Sequence, residues 1–300
     1  MKVFSVINEK GGVSKTSLSA NIAYGLASKY KQRVLLVDAD PQHNLSSMMI
    51  KRNEKDELVK LDEFLERLPD EIGIDKAIEE LNGFLNYAIE KENSLDLSDV
   101  LYKPVSIHEA IVGTKYENVD IVPASHKLSV TDYYLKNERN GYRRLMIALN
   151  EVRNEYDVVI IDNSPFSTAI TCNAIMACHN EGDRLIIPTK VDYETWEGLN
   201  STLNNLIAWI QDEGLDCDVS IVRTFVTRTK TTEVGSRILE KLFGDRLLNS
   251  SIRFQSSPIQ ASSFDNSVLL ASTSSIIKKS GVFNDYTDLA DEIFTKYIKC

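Results

Sequence analysis

The stretch Asn8-Glu9-Lys10-Gly11-Gly12-Val13-Ser14-Lys15-Thr16-Ser17 limits what this chain can fold into more than any other. It follows a short apolar run, Val3-Phe4-Ser5-Val6-Ile7, and precedes an alanine-rich stretch from Leu18 to Leu26 with helical character. Strand, glycine turn, Lys-Thr and helix together have the layout of a phosphate-cradling loop. The backbone N–H groups at the helix start face an anion, and the helix dipole adds to the attraction. In such a loop Lys15 reaches the β- and γ-phosphates, and the Thr16 hydroxyl binds Mg²⁺. Gly11, Gly12, Val13, Ser14 and Ser17 complete the expected nucleotide-binding set. The usual spacing is not kept: counting back from Lys15, the customary glycine positions fall on Glu9 and Ser14.

The variant that does fit carries a second lysine, Lys10, ahead of the glycine pair. Lys10-Gly11-Gly12-Val13-Ser14-Lys15-Thr16 resembles the deviant Walker A motif of the ParA/MinD family of ATPases. The resemblance implies ATP and Mg²⁺ as cofactors. It also implies that Lys10 reaches across a nucleotide-sandwich homodimer to the partner's phosphates.

Two further motifs follow in the order that the resemblance leads one to expect. The apolar run Arg33-Val34-Leu35-Leu36-Val37 has the character of a strand covered on both faces. It ends in Asp38-Ala39-Asp40-Pro41-Gln42, and a β–α–β unit sets such carboxylates beside the phosphate loop at the crevice of a parallel sheet. The family has an Asp-x-Asp-Pro-Gln motif here, which implies that Asp40 positions the attacking water and Asp38 sits near the magnesium shell. Then Val158-Val159-Ile160-Ile161 closes with Asp162-Asn163-Ser164-Pro165. This matches a Walker B strand, whose carboxylate holds a water on Mg²⁺. Relatives often have Asp-x-Pro-Pro, so Ser164 is a departure. By the family's pattern Lys10, Lys15 and Asp40 are catalytic, while Thr16, Asp38 and Asp162 serve the metal. The expected reaction is slow, partner-stimulated hydrolysis of ATP to ADP and phosphate.

Further apolar runs at Val119–Val122, Arg184–Thr189 and Val219–Val222 alternate with helical periodicity, for example over 193–211. That alternation predicts an α/β fold: a doubly wound, mostly parallel sheet with helices on both faces, as one P-loop domain over 1–300. Residues 51–93 read as an addition to it. Leu58, Leu61, Phe64, Leu65 and Leu68, and then Ile74, Ile78, Leu81 and Leu85, recur at helical spacing. Two acidic amphipathic helices are expected there, as a lid, a docking surface or a solvated decoration.

Charge bears on what the nucleotide is used for. The chain carries a net charge of −10, which taken alone speaks against constitutive nucleic-acid binding. The charge is uneven, however: 51–100 has 15 acidic and 7 basic side chains, and 223–279 has 4 acidic and 9 basic ones. The basic stretch offers Arg223, Arg228, Lys230, Arg237, Lys241, Lys278 and Lys279, with Arg246 and Arg253. Several such groups on one face displace phosphate counterions. Three uses of the core stay open at this point. One is DNA partition, with non-specific double-stranded DNA bound in the ATP state and a ParB-like centromere-binding adaptor. The second is MinD-like membrane positioning. That needs a basic amphipathic tail, whereas Tyr286–Lys299 opens with three acids and has two lysines, so no stable membrane association is expected. The third is a reductase resembling nitrogenase iron protein, for which Cys172 and Cys178 are poorly spaced. Cysteines without CxxC spacing and a first strand at about residue 3 lead us to expect a cytoplasmic protein without a signal peptide; the resemblance to ParA further implies that it sits on the nucleoid when ATP-bound.

Overall fold

A computed structural model describes residues 1–50, 95–103, 105–165, 168–191, 193–264 and 266–299; the helical insertion expected at 51–93 lies outside them. Among the described residues, eight strands form one sheet in the order β3-β4-β2-β5-β1-β6-β7-β8. They are β1 Lys2–Val6, β2 Val34–Ala39, β3 Val112–Gly113, β4 Val119–Val122, β5 Val158–Asn163, β6 Asp183–Lys190, β7 Cys217–Val226 and β8 Leu247–Arg253. Every pairing is parallel except the short edge pair β3–β4. The doubly wound α/β expectation holds.

The period of two in a strand sorts its side chains between two cores. Phe4, Val6, Val34, Leu36, Val158 and Ile160 join the core under the helix Lys15–Tyr30, which we call α1. Val3, Leu35, Val37, Val159 and Ile161 join the opposite core, with Leu97, Leu128, Leu145 and Ile170 from the helices covering that face. Continuing the count, Asp38 and Asp162 fall on the α1 side, and the two are register partners across β2 and β5.

Two places explain how α1 is fixed. A Cβ on Gly25 would sit 2.6 Å from the Ala290 Cβ, so α1 and the helix Gly281–Ile293 approach too closely for any side chain there. The tail completes that contact. Leu289 and Ile293 are fully buried, and Phe294 stacks on Tyr30 with ring centroids 3.7 Å apart. The apolar face of the tail therefore belongs to the core. No helix among the described residues is long and apolar enough to cross a membrane.

Edge strand β8 has no apolar run to announce it. Leu247, Leu248 and Ile252 are buried, but Asn249-Ser250-Ser251 lies between them. Its exposed side is covered by Glu292, whose carboxylate accepts from Asn249 N at 2.9 Å and Ser250 N at 2.7 Å. Satisfying edge N–H groups in this way keeps the edge from pairing with another chain.

Candidate functional site

The phosphate loop leaves β1 and enters α1 through two left-handed residues, Gly12 at φ 66° and Ser14 at φ 70°. Glycine adopts this conformation freely, whereas a serine pays about 1–2 kcal/mol for it. Ser14 holds the helix N-cap position without a side-chain cap hydrogen bond. Three tethers set the loop's course. Asn8 Nδ2 donates to Pro188 O at 2.7 Å, Lys10 N to Asn8 Oδ1 at 2.8 Å, and Thr224 Oγ1 to Val13 O at 3.3 Å. They tie the loop to the carboxyl ends of β6 and β7.

Lys15 is buried at 8% exposure, and its Nζ donates to Asn8 O at 2.9 Å and Lys10 O at 3.3 Å. Burial lowers its pKa, while the charges of Asp162 and Asp40 pull it back up. Lys10, in contrast, is exposed at the rim. Val13 is buried, whereas Gly11 and Gly12 are exposed with no atom near enough to crowd a Cβ. Thr16 and Ser17 are half-buried in the first turn of α1.

The carboxylates lie on the β2/β5 side. Asp38 is buried and fully engaged: Oδ2 accepts from Ser46 N at 2.8 Å and Ser46 Oγ at 2.7 Å, and Oδ1 from Asp40 N at 3.2 Å. Burial still raises its pKa to about 6. Asp162 is raised further, to about 7, by burial first and then by the neighbouring Asp38, with the Thr16 and Ser19 hydroxyls opposing. Its Oδ1 accepts from Ser19 Oγ at 2.9 Å, whereas Oδ2 is buried with no hydrogen-bond partner. A buried carboxylate oxygen left unpaired costs free energy that a cation recovers. With the Thr16 hydroxyl beside it, the donor set is all oxygen and suits a hard divalent ion such as Mg²⁺. The residues fit the metal, with Asp162 the open ligand and Asp38 held by Ser46.

Asp40 is half-buried at the loop mouth, and its Oδ1 accepts from Gln42 N at 2.9 Å. Ser46, Ser19 and Asn163 escaped the sequence reading. Asn163 Nδ2 donates to Ser5 Oγ at 2.9 Å and Val6 O at 3.0 Å, clamping β5 to β1, and its Oδ1 is also buried and unpaired. Only Asn163 had a signal, since it directly follows Asp162. On the opposite sheet face a cleft of about 300 Å³ touches the loop, lined by Asn8, Glu9, Ser164, Pro165, Cys172 and Trp209. The two cysteines are not a ligand pair: Cys178 is buried, its thiol facing the carbonyls of Val3, Ala174 and Arg184, while Cys172 is half-buried in that cleft.

The basic segment separates into bound and outward groups. Arg223 is 11% exposed, paired with Glu240 at 2.8 Å and donating to Asn249 O at 3.0 Å. Arg253 pairs with Asp285 at 2.7 Å, whereas Arg237, 72% exposed, makes only a surface pair with Glu233 one turn away, also at 2.7 Å. Arg228, Lys230, Lys241, Lys278 and Lys279 are exposed, and Arg228 and Lys230 line an open cleft of about 540 Å³ beside the helix Lys230–Phe243.

Residues 1–221 match the model of a family described as AAA domain. The chain is 29% identical over 255 residues to the sporulation initiation inhibitor protein Soj of Bacillus subtilis, covering 84% of this chain and 83% of that one. It is 25% identical over 274 residues to the chromosome partitioning protein ParA of Caulobacter vibrioides, covering 90% and 87%. Among solved structures, McdA of Cyanothece superposes with a TM-score of 0.71 at 18% identity, covering 98% of this chain and 99% of that one. Cobyrinic acid a,c-diamide synthase of Mycobacterium smegmatis, solved with an ATP analogue and magnesium, superposes at 0.68 and 22% identity, covering 97% and 93%. By its family match and its sequence relatives, the chain belongs to this AAA domain family as a ParA/Soj-like member.

Proposed function

We propose that this chain is an ATP-dependent, dimerising ATPase of the ParA type. In its ATP state it binds non-specific double-stranded DNA, and with a ParB-like centromere-binding adaptor it partitions plasmid or chromosomal DNA. The observation that carries the ATPase reading is the unpaired, buried Asp162 Oδ2 next to Thr16 and Lys15. Mg²⁺ bound there, by Thr16 and Asp162, would neutralise charge building on the transferred phosphoryl group. Lys15 neutralises the phosphates from within the loop, and Asp40 orients water at its mouth. In the dimer Lys10 serves a second copy's nucleotide, a reading supported by its exposure at the rim. An ATP analogue and magnesium are also what the Mycobacterium smegmatis neighbour was solved with, and the Caulobacter vibrioides relative is named for chromosome partitioning.

DNA binding is supported by the outward set Arg228, Lys230, Lys241, Lys278 and Lys279. Dimerisation doubles this set, so ATP occupancy acts as the switch. A membrane role is disfavoured because Leu289 and Ile293 of the tail are already buried and Phe294 stacks on Tyr30 of α1. The test is DNA affinity against salt, with ATP, ADP and no nucleotide. Tight binding confined to ATP, retained by Asp40→Ala while hydrolysis stops, is the expected result. Equal DNA affinity in all three states would remove the switch.

A further inference from the structure

Two of the chain's four histidines meet beyond the carboxyl ends of β2 and β4. These strands are parallel neighbours with Val37 opposite Val122, so the turns that leave them run side by side. His43 comes six residues after Val37, and His126 four after Val122. Their ring centroids are 5.0 Å apart, with the planes inclined at 76°. Two imidazoles on one tetrahedral zinc ion, with Zn–N bonds of about 2.0–2.1 Å, have centroids about 5 Å apart. The pair already stands at the spacing that a shared ion needs.

Both backbones are held in place. His43 N donates to Asp40 O at 2.8 Å, and His43 O accepts from Ser47 N at 3.0 Å. His43 has φ 44°, a left-handed conformation that in a residue other than glycine persists where the surroundings impose it. His126 O accepts from Ser129 N at 3.2 Å, at the start of the helix Lys127–Asn137. Ser46 Oγ accepts from Ala124 N at 3.0 Å and so ties the two turns together. The side chains are prepared in different ways. His43 Nδ1 lies 3.3 Å from Ser47 Oγ, and with Nδ1–H donating there, Nε2 keeps its lone pair for a metal. The ring nitrogens of His126 have no hydrogen-bond partner among the described residues, and the residue is exposed, so its ring turns freely. Lys127, the adjacent cation, is drawn toward Asp96 at 3.8 Å. No third His, Cys, Asp or Glu joins the pair among the described residues, which leaves the remaining positions on an ion to water.

We propose that His43 and His126 form a binding site for a divalent transition-metal ion, with zinc as the best match. Imidazole nitrogen suits zinc, whereas magnesium takes oxygen, so this site differs in chemistry from the one at Thr16 and Asp162. A structural zinc is closed by four protein ligands. With two ligands and open positions, this is an exchangeable site. It goes beyond the nucleotide reading and does not depend on it. Because His43 closes the turn that begins at Asp40, an ion shared with His126 staples that turn to the one after β4.

The test is calorimetric titration of the full, nucleotide-free chain with Zn²⁺, for the wild type, His43→Asn and His126→Gln. Excess Mg²⁺ is present throughout to occupy the all-oxygen site. Asparagine tolerates a left-handed backbone and His126 is exposed, so both variants are expected to melt like the wild type without zinc. The wild type is expected to bind an equivalent of Zn²⁺ that both variants lose. It is also expected to gain melting temperature with Zn²⁺ where neither variant does. Zinc binding unchanged in both variants would place the ion elsewhere, at a cysteine for example, and overturn the pair. Loss in one variant alone overturns it too, because the ion would then need only one of the rings. A wild type that binds no Zn²⁺ does the same. If His43→Asn is destabilised by itself, His126→Gln carries the comparison, and zinc retained there overturns the pair.

Discussion

The phosphate loop and the segment 223–279 are both rich in cations, but they constrain those cations in different ways. In the loop, Lys15 is one helical position past a left-handed Ser14 and is pinned by two carbonyls, so its place follows from the backbone path. In the basic segment the side chains that are held are held by partners elsewhere in the chain, not by the backbone path. Arg223 and Arg253 turn toward carboxylates, whereas Arg228, Lys230 and Lys241 face solvent. Spacing between strand and helix specifies geometry because the backbone transmits it. Net charge specifies only that counter-charges will be met somewhere, within the fold or on a partner.

The largest expected effect tests the first half of that contrast. Lys15→Ala removes a buried, charge-assisted donor from the phosphates, and ATP affinity should fall at least about 100-fold. Calorimetric titration checks it, and a loss under tenfold would mean that the backbone alone cradles the phosphates.

The second half is tested by pairing outward and inward cations. Arg228→Ala with Lys230→Ala should cut DNA affinity about tenfold or more and reduce the slope of log affinity against log salt by about two. Arg223→Ala should leave that slope intact and instead lower the melting temperature by a few degrees, since Glu240 and the Asn249 carbonyl lose their donor. If Arg223→Ala changed the salt slope as the outward pair does, the division into bound and outward groups would be wrong.

A pH-dependent effect concerns the buried acids. Asp162 binds its proton more tightly folded than unfolded, because its pKa rises from 3.8 to about 7. Its ionisation therefore destabilises the nucleotide-free protein progressively as pH rises from about 4 to about 7. Asp162→Asn keeps an acceptor for Ser19 without that charge. Its melting temperature should gain on the wild type across this window and hold the gain above pH 7. A constant difference at all pH values would show that the carboxyl is not perturbed.

The smallest effect is in the loop itself. Ser14→Gly should relieve the left-handed strain and raise stability by about 0.5–1 kcal/mol, part of the relief being lost to the entropy of the unfolded chain. A denaturant melt reads it, and destabilisation would mean that the serine hydroxyl is needed more than its backbone is strained.

How far the fold was legible depended on where each segment lies. β1, β2, β5 and β6 are inner strands, covered on both faces, and their continuous apolar runs are visible in the chain. β8 is an edge strand, so Asn249-Ser250-Ser251 can interrupt it once Glu292 satisfies the exposed N–H groups. No local pattern records a partner some forty residues away. The tail was readable as amphipathic, but its burial against Tyr30 and Gly25 depends on how two helices cross.

For the site, the sequence by itself determined the loop, Lys15, Thr16, Asp38, Asp40 and Asp162. Their spacing from strand ends is carried by backbone geometry, which is local. The tertiary structure decided which Asp162 oxygen is left unpaired, that Ser46 engages Asp38, and that Arg223 and Arg253 meet carboxylates remote in the chain. Each of these depends on distances between residues remote in the chain. Such distances are set by how the sheet pairs and the helices pack, and only the folded molecule contains them.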